Sequence, residues 1–137
     1  MNTIHSLENI GGNIITNQYY KWNEENTMRD LKEEDYNIVI TDSDTIKLTF
    51  PLGINGIIST VRSFKKNDKI NLKNVIDIIN DYYSKEISKE EKEILNEQSE
   101  EDLSIYSLRI DLLDYSNLCF FQGIEEYQGV YNILLGS

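Results

Sequence analysis

The stretch at residues 70–87, INLKNVIDIINDYYSKEI, decides the fold, because it carries the clearest helical pattern in the 137-residue chain. Asn71 stands just before the apolar run, where its side chain can cap the first turn of a helix. The apolar residues recur three and four positions apart and so share one face: Val75, Ile76, Ile79, Tyr82 and Tyr83. We therefore predict a central amphipathic helix at about residues 72–85, whose apolar face packs on a β-sheet.

The residues before this helix predict three strands. Residues 37–41 (NIVIT) and 45–50 (TIKLTF) are rich in β-branched or alternating apolar residues. The turn sequence DSD at 42–44 separates them, so we predict that they pair as a hairpin. A third strand at 57–64 follows an Asn-Gly turn signal at 55–56.

The residues after the helix predict two further helices and a second hairpin. An S-x-x-E capping box opens a short acidic surface helix at 88–96. The apolar spacing in 103–115 fits either a strand or a helix, and we favour a helix or helical turn. Strands at 118–122 and 130–135 flank a turn at 123–129 and predict a C-terminal hairpin. The predicted fold class is α+β, with a mainly antiparallel sheet and the helices on one face.

We predict one globular domain spanning residues 1–137, a length at which a single hydrophobic core is usual. Residues 1–18 are expected to be loosely ordered, apart from a short edge strand at 13–16. The charged segment at 24–35 carries a thin apolar stripe and predicts a short helix or helical turn.

The charge balance limits the partners of this domain. The sequence has 13 Lys and Arg against 24 Asp and Glu, a formal net charge of −11, so duplex nucleic acid and anionic membranes would repel it. No apolar run approaches the roughly 18 residues that cross a membrane. Cys119 is the only cysteine, which excludes an internal disulfide and suits a reducing compartment. With no signal-peptide pattern at the N-terminus, we predict an intracellular, cytoplasmic protein, in the host cytoplasm or virion if it is viral.

The sequence offers few residues for catalysis or metal binding. His5 is the only histidine, and Cys119 lies in an apolar run where it is expected to be an inert core residue. A structural zinc site needs several such ligands. We therefore predict no catalytic residue, no metal site and no cofactor. Asp111 stands among apolar residues, so we predict a buried side chain that caps a turn, with a catalytic role as the alternative.

Two groups of residues are candidates for binding a protein partner. The first group is aromatic: Tyr19, Tyr20 and Trp22. Aromatic side chains are common at protein interfaces, although these three could equally cover the core. The second group is acidic and lies within residues 86–102: Glu90, Glu91 and Glu93. It could dock a basic partner or form an ordinary solvated helix face.

Four motifs follow one another in the second half of the chain. A strand enters the helix at residues 70–83, a short acidic helix follows at 88–95, and an R-x-D-L-L segment at 109–113 leads to F-x-G at 121–123. In this order they resemble an uncharacterised domain family common in fungi, with similar proteins in giant DNA viruses of the mimivirus type. The similarity covers roughly residues 45–135. This resemblance implies a compact domain and implies no mechanism.

We favour the interpretation that the protein is a non-enzymatic module, a viral structural or host-interacting protein that binds an unidentified protein partner through its surface. One alternative is a small carboxylate-dependent hydrolase or nucleotide-binding enzyme, which a pocket holding several carboxylates would favour. The other alternative is an acidic binder of basic partners. Exposed strand edges would also allow a homo-oligomer to form.

Overall fold

The computed structural model of the protein describes residues 6–7, 9–22, 25, 27–52, 59–66, 69–98 and 105–136. Strands and helices alternate irregularly along this part of the chain. In order they are β1 (Ser6–Leu7), β2 (Ile10–Asn13), β3 (Gln18–Trp22), β4 (Met28–Asp30), α1 (Glu33–Tyr36), β5 (Val39–Thr41), β6 (Thr45–Pro51), β7 (Ser59–Lys65), β8 (Ile70–Asn71), α2 (Leu72–Ser84), α3 (Lys89–Gln98), α4 (Arg109–Tyr115), β9 (Phe120–Tyr127) and β10 (Val130–Gly136).

The main sheet has the strand order β4-β3-β2-β9-β10-β6-β7, and β1 pairs with β9. Each pair of neighbours in this sheet is antiparallel except β10 and β6, which run parallel. A second, two-stranded sheet joins β5 to β8. The predicted fold class, α+β with a mainly antiparallel sheet, is confirmed.

Helix α2 forms where the sequence predicts it. The backbone N–H of Asn74 donates to the Asn71 side-chain oxygen at 2.9 Å, and the N–H of Asn71 donates to the Asn74 side chain at 3.0 Å. These reciprocal bonds satisfy two amide groups that the first turn would otherwise leave unpaired. The buried face of α2 consists of Leu72, Val75, Ile76, Ile79, Tyr82 and Tyr83.

The helices cover one face of the main sheet, which we call the inner face. In β6, residues Ile46, Leu48 and Phe50 are buried, whereas the alternating residues Thr45 and Lys47 are exposed. The Phe50 ring stacks on the Tyr82 ring of α2 with centroids 3.9 Å apart, which identifies the buried side. We call the opposite side of the sheet the outer face. The sheet is therefore covered on one side and open to water on the other.

The predicted hairpin between residues 37–41 and 45–50 is wrong. Strand β5 pairs with β8 at the entrance of α2, and the N–H of Leu72 donates to the carbonyl of Ile38 at 2.8 Å. Strand β6 pairs with β7 on one edge and with β10 on the other. Because both edges of β6 are occupied, β5 has no place beside it. The Asn-Gly turn signal at 55–56 lies outside the described residues.

The C-terminal hairpin is confirmed, but its predicted turn at 123–129 is too long. Strand β9 continues to Tyr127, and only residues 128–129 turn. The register shifts between Leu134 and Leu135, because Gln122 is an extra residue in β9. This bulge lets Phe121 and Ile124, three positions apart, both lie buried on the inner face. Gly123 accommodates the bulge with a φ of 121°.

The N-terminal third contains more sheet than the sequence indicates. The helix or helical turn expected within 24–35 forms only at the end of that segment, because Met28–Asp30 is strand β4 and Glu33–Tyr36 is helical. The edge strand expected at 13–16 is wrong, because residues 14–17 turn and the strand β2 at Ile10–Asn13 is paired on both sides, with β3 and β9. After α3, the preference for a helix within 103–115 is correct for Arg109–Tyr115.

A buried carboxylate joins α1 to the sheet. The side chain of Asp35 accepts two bonds from the Arg29 guanidinium, at 2.8 and 3.2 Å, and one from the backbone N–H of Lys32 at 2.8 Å. The Lys21 ammonium lies 3.4 Å away. The hydrogen bond from Arg29 is the largest cause that lowers the pKa of Asp35, burial opposes it, and the pKa lies well below its ordinary value.

The free energy of unfolding should therefore depend on pH through Asp35. Its folded pKa is depressed, so its contribution is present above the unfolded pKa of about 4 and is lost as the pH falls through the folded pKa. We expect Asp35→Asn to lower the free energy of unfolding by about 1.5–3 kcal/mol at pH 7, by weakening charge-assisted hydrogen bonds. Urea unfolding from pH 7 to pH 2.5 should show the wild-type advantage shrinking below pH ~4. A gap of constant size across that range would contradict this role.

Candidate functional site

The centre of the outer face is polar and satisfied by its own contacts. The hydroxyl of Thr49 donates to the side-chain oxygen of Asn132 at 2.9 Å, and the amide of Asn132 donates to the carbonyl of Glu125 at 3.4 Å. Lys47 is exposed in the same row. These residues suit a sheet surface in contact with water.

One end of the outer face is different, because apolar side chains collect there. We call Tyr20, Trp22, Met28 and Phe120 the outer aromatic patch. Trp22 and Met28 are directly opposite each other across β3 and β4, and Phe120 is opposite Asn13 of β2. Met28 is 54% exposed and Phe120 is 41% exposed. Tyr20 and Trp22 are half-buried.

Gly11 allows these side chains to lie flat on the sheet. A Cβ atom at this position would stand 2.8 Å from Cζ3 of Trp22 and 2.5 Å from the carbonyl oxygen of Phe121. Both distances are too short for a real side chain, so the indole packs directly over the glycine backbone. Tyr20 is the cross-strand partner of Gly11. The patch therefore surrounds a position where only glycine fits.

The predicted aromatic group is divided between the two faces of the sheet. Successive residues of a strand point to opposite sides. Tyr19 consequently lies on the inner face, only 5% exposed, and its hydroxyl donates to the side-chain oxygen of Asn80 in α2 at 2.8 Å. Burial raises the pKa of Tyr19. Tyr20 and Trp22 lie on the outer face, so Tyr19 belongs to the core and the other two to the candidate surface.

The predicted acidic group is divided as well. Glu90 and Glu93 are exposed, whereas Glu91 is 1% exposed. The Glu91 carboxylate completes the Ser88 capping box, accepting from the Ser88 N–H at 2.8 Å. This location corrects the expectation that Glu91 is part of a partner-binding surface, because its carboxylate is occupied inside the protein. The prediction for Glu90 and Glu93 stays open.

Glu91 belongs to a buried ionic cluster with Tyr82 and Arg109. The Arg109 guanidinium donates to Glu91 at 2.9 Å and to the backbone carbonyl of Tyr82 at 3.0 Å. The Tyr82 hydroxyl also donates to Glu91. Burial raises the pKa of Glu91, but hydrogen bonds from Tyr82, Ser88 and Arg109 outweigh it, and the pKa is lowered.

The Tyr82 ring is contacted on both sides. The Arg109 guanidinium carbon lies 3.8 Å from the ring centroid, and the Phe50 ring stacks at 3.9 Å, so the two groups occupy opposite faces of the ring. The cluster thereby holds α2, α3 and α4 together and connects them to β6. Nothing in the immediate sequence around Arg109 pairs it with Glu91, since the two are 18 positions apart.

The other residues considered for chemistry lie apart from one another. Asp111 is exposed on α4, so the expectation of a buried, turn-capping side chain is wrong. Cys119 is half-buried and precedes β9 instead of lying within it. His5 is outside the described residues. Within the described ranges, no three His, Cys, Asp or Glu side chains gather in a way that could hold a metal ion.

Comparisons with known proteins add no relative. No protein-family model, no curated protein and no solved structure matches the chain. The resemblance to the fungal and giant-virus domain family therefore stays a prediction. Among the helices in the described residues, none combines the length and the apolar character needed to cross a lipid bilayer.

Proposed function

We propose that this protein is a non-enzymatic binding module that contacts a protein partner through the outer aromatic patch. The observation that carries the proposal is the position of Tyr20, Trp22, Met28 and Phe120 on the sheet face opposite to the one that the described helices cover. A viral structural or host-interacting role in an intracellular compartment is part of the same proposal.

The chemistry of the patch supports a protein partner. Trp and Tyr are the residues most enriched at the energetic centres of protein interfaces, where they provide large contact areas at little cost in conformational entropy. The half-buried Trp22 ring is already held in place over Gly11, so little further ordering is needed on binding. The polar residues at the centre of the same face, Thr49, Asn132 and Lys47, mark where the apolar contact surface ends.

The charge around the outer aromatic patch indicates which charge the rim of the partner's surface would carry. Asp30 lies opposite Tyr20 across β3 and β4 and is exposed, and the whole chain carries a net charge of −11. Opposite charges at the rim of an interface accelerate association and align the two surfaces. A fitting partner would therefore present an apolar centre surrounded by basic residues.

The proposal is tested with the double variant Met28→Ser/Phe120→Ser. We expect about a tenfold or greater loss of affinity for the native partner, because two exposed apolar contacts at the centre of the interface are removed. Val61→Ser is the matched control, since Val61 is 56% exposed at the other end of the sheet. Partners are identified by incorporating a photo-crosslinking phenylalanine derivative at position 28 or at position 61 and recovering the products from native host cells.

A defined set of proteins that crosslinks at position 28 but not at position 61, and that the double variant no longer retains, is the expected result. Circular dichroism checks that each variant is folded. Equal retention by the wild type and the double variant would show that the outer aromatic patch does not bind the partner.

A further inference from the structure

A pocket lies beside helix α4. Four side chains line its described part, namely Tyr106, Asp111, Asp114 and Tyr115, and its volume is about 460 Å³. This volume falls within the range of about 300–1,000 Å³ that small-molecule sites occupy. The pocket thus has room for a small organic group.

Helix α4 supplies three of the four side chains that line the pocket, because its periodicity places them together. Asp111, Asp114 and Tyr115 are spaced by three and four positions, so they project from one side of the helix. The opposite side is buried, with Leu112 and Leu113 in the core. Because the anchored Arg109 fixes the start of α4, these three side chains have a defined orientation.

The fourth lining side chain, that of Tyr106, lies on a segment that backbone hydrogen bonds hold in place. The N–H of Ile87 donates to the carbonyl of Ser107 at 2.8 Å, and the N–H of Arg109 donates to the carbonyl of Lys85 at 3.0 Å. This pairing holds the segment that carries Tyr106 beside the end of α2. The Tyr106 and Tyr115 rings are consequently close, with centroids 5.2 Å apart and planes at 44°.

We propose that this pocket binds an organic cation, namely an alkylammonium or guanidinium group. Two exposed carboxylates and two aromatic rings line one open pocket, and the described lining includes no Lys or Arg that would neutralise the carboxylates. A carboxylate attracts the charge of such a ligand, while a tyrosine face favours its alkyl or planar part through cation–π contact. Neither Asp111 nor Asp114 forms an ion pair with another described residue, so both are available.

Two sources could provide such a group, a free small amine or a Lys or Arg side chain of another protein. Nuclear magnetic resonance titrations of ¹⁵N-labelled protein distinguish them. Tetramethylammonium and ethylguanidinium represent the free ligands, and the peptides Gly-Lys-Gly and Gly-Arg-Gly represent the side chains. We expect saturable shifts centred on Tyr106 and on residues 109–115, with affinity in the millimolar range for an exposed site of this kind. Stronger binding of the peptides identifies a protein side chain, and equal binding identifies a free cation.

The double variant Asp111→Asn/Asp114→Asn tests the carboxylates. We expect it to weaken binding about tenfold, because both charges that face the cation are lost. Asp77→Asn/Asp81→Asn is the matched control, since it removes two exposed carboxylates from α2 and the same net charge. The control should change the affinity less than about twofold. Tyr115→Leu keeps the apolar bulk but removes the ring face, and should weaken binding about threefold.

Three results would overturn the assignment. One is the absence of saturable shifts with every cation tested. Another is an equal response to 3,3-dimethylbutanol, the uncharged carbon analogue of choline, because the charge would then be irrelevant. The third is an equal loss of affinity in the Asp111/Asp114 variant and in the Asp77/Asp81 control, which would trace the effect to net charge alone. All variants are compared in the same buffer at fixed ionic strength.

Discussion

Replacing Arg109 with Met is expected to lower the free energy of unfolding by about 3–5 kcal/mol, the cost of leaving one member of a buried ion pair without its partner. The variant leaves the carboxylate of Glu91, a residue that is 1% exposed, without its cationic partner. It also removes the bond to the Tyr82 carbonyl and the cation over the Tyr82 ring. Urea denaturation monitored by tryptophan fluorescence measures the difference.

Two further variants test whether the effect of Arg109→Met comes from the buried ion pair. Lys73→Met breaks the exposed pair of Lys73 with Asp77, and should cost less than about 1 kcal/mol. The double variant Arg109→Met/Glu91→Met removes both buried charges and should be more stable than Arg109→Met alone. A loss below about 1 kcal/mol in the single variant would mean that the ionic cluster does not hold the helices together.

Truncating Phe50 to Ala is expected to cost about 3–5 kcal/mol, since a fully buried ring is lost and a cavity remains. Phe50 stacks on Tyr82 and contacts Phe64 and Tyr83 edge-on, with centroids 5.9 and 6.1 Å away. It stands at the centre of the aromatic packing between β6 and α2. The same measurement of unfolding by urea applies.

Phe120→Ala is the matched control for Phe50→Ala, because it makes the same substitution on the outer face. Phe120 is 41% exposed, so we expect a loss below about 1 kcal/mol. Similar losses for the two variants would contradict the assignment of an inner and an outer face. A small loss for Phe120 is also what the binding experiment needs, since its variants must stay folded.

The features that the sequence predicts well are those specified by neighbouring residues. Helix α2 combines the reciprocal Asn71 and Asn74 cap with an apolar stripe, and both lie within a few turns of one another. The Ser88 capping box that opens α3 is equally local, with the N–H of Glu91 donating to the Ser88 hydroxyl at 3.2 Å. No distant contact is needed to recognise either element.

The features that the sequence does not predict depend on distant pairing. The parallel contact of β10 with β6 joins Tyr131 to Leu48, and nothing in either strand indicates the other. That pairing occupies the edge of β6 that β5 would need, and β5 pairs with β8 instead. The predicted hairpin of β5 and β6, although reasonable from the local sequence, therefore does not form. In the same way, Tyr19 could be separated from Tyr20 only once residues 18–22 are known to be a strand.

The exposure of Asp111 could have been predicted from the sequence. In the segment RIDLLDY, Arg109 is three and four positions before the apolar pair Leu112 and Leu113, so a helix places it on their buried face. Asp111 and Asp114 fall on the opposite side and become exposed. An apolar sequence context is therefore a poor guide to burial in a helix, and helical phase is a better one.

The placement of the C-terminal hairpin has a consequence for how the sheet is completed during synthesis. In the described sheet, β2, β3 and β4 connect to β6 and β7 only through β9 and β10. Strands β2, β3 and β4 therefore cannot join β6 and β7 in one sheet until residues 120–136 have left the ribosome. Until then β2 and β6 each present an unpaired edge, the kind of edge that promotes aggregation of nascent chains.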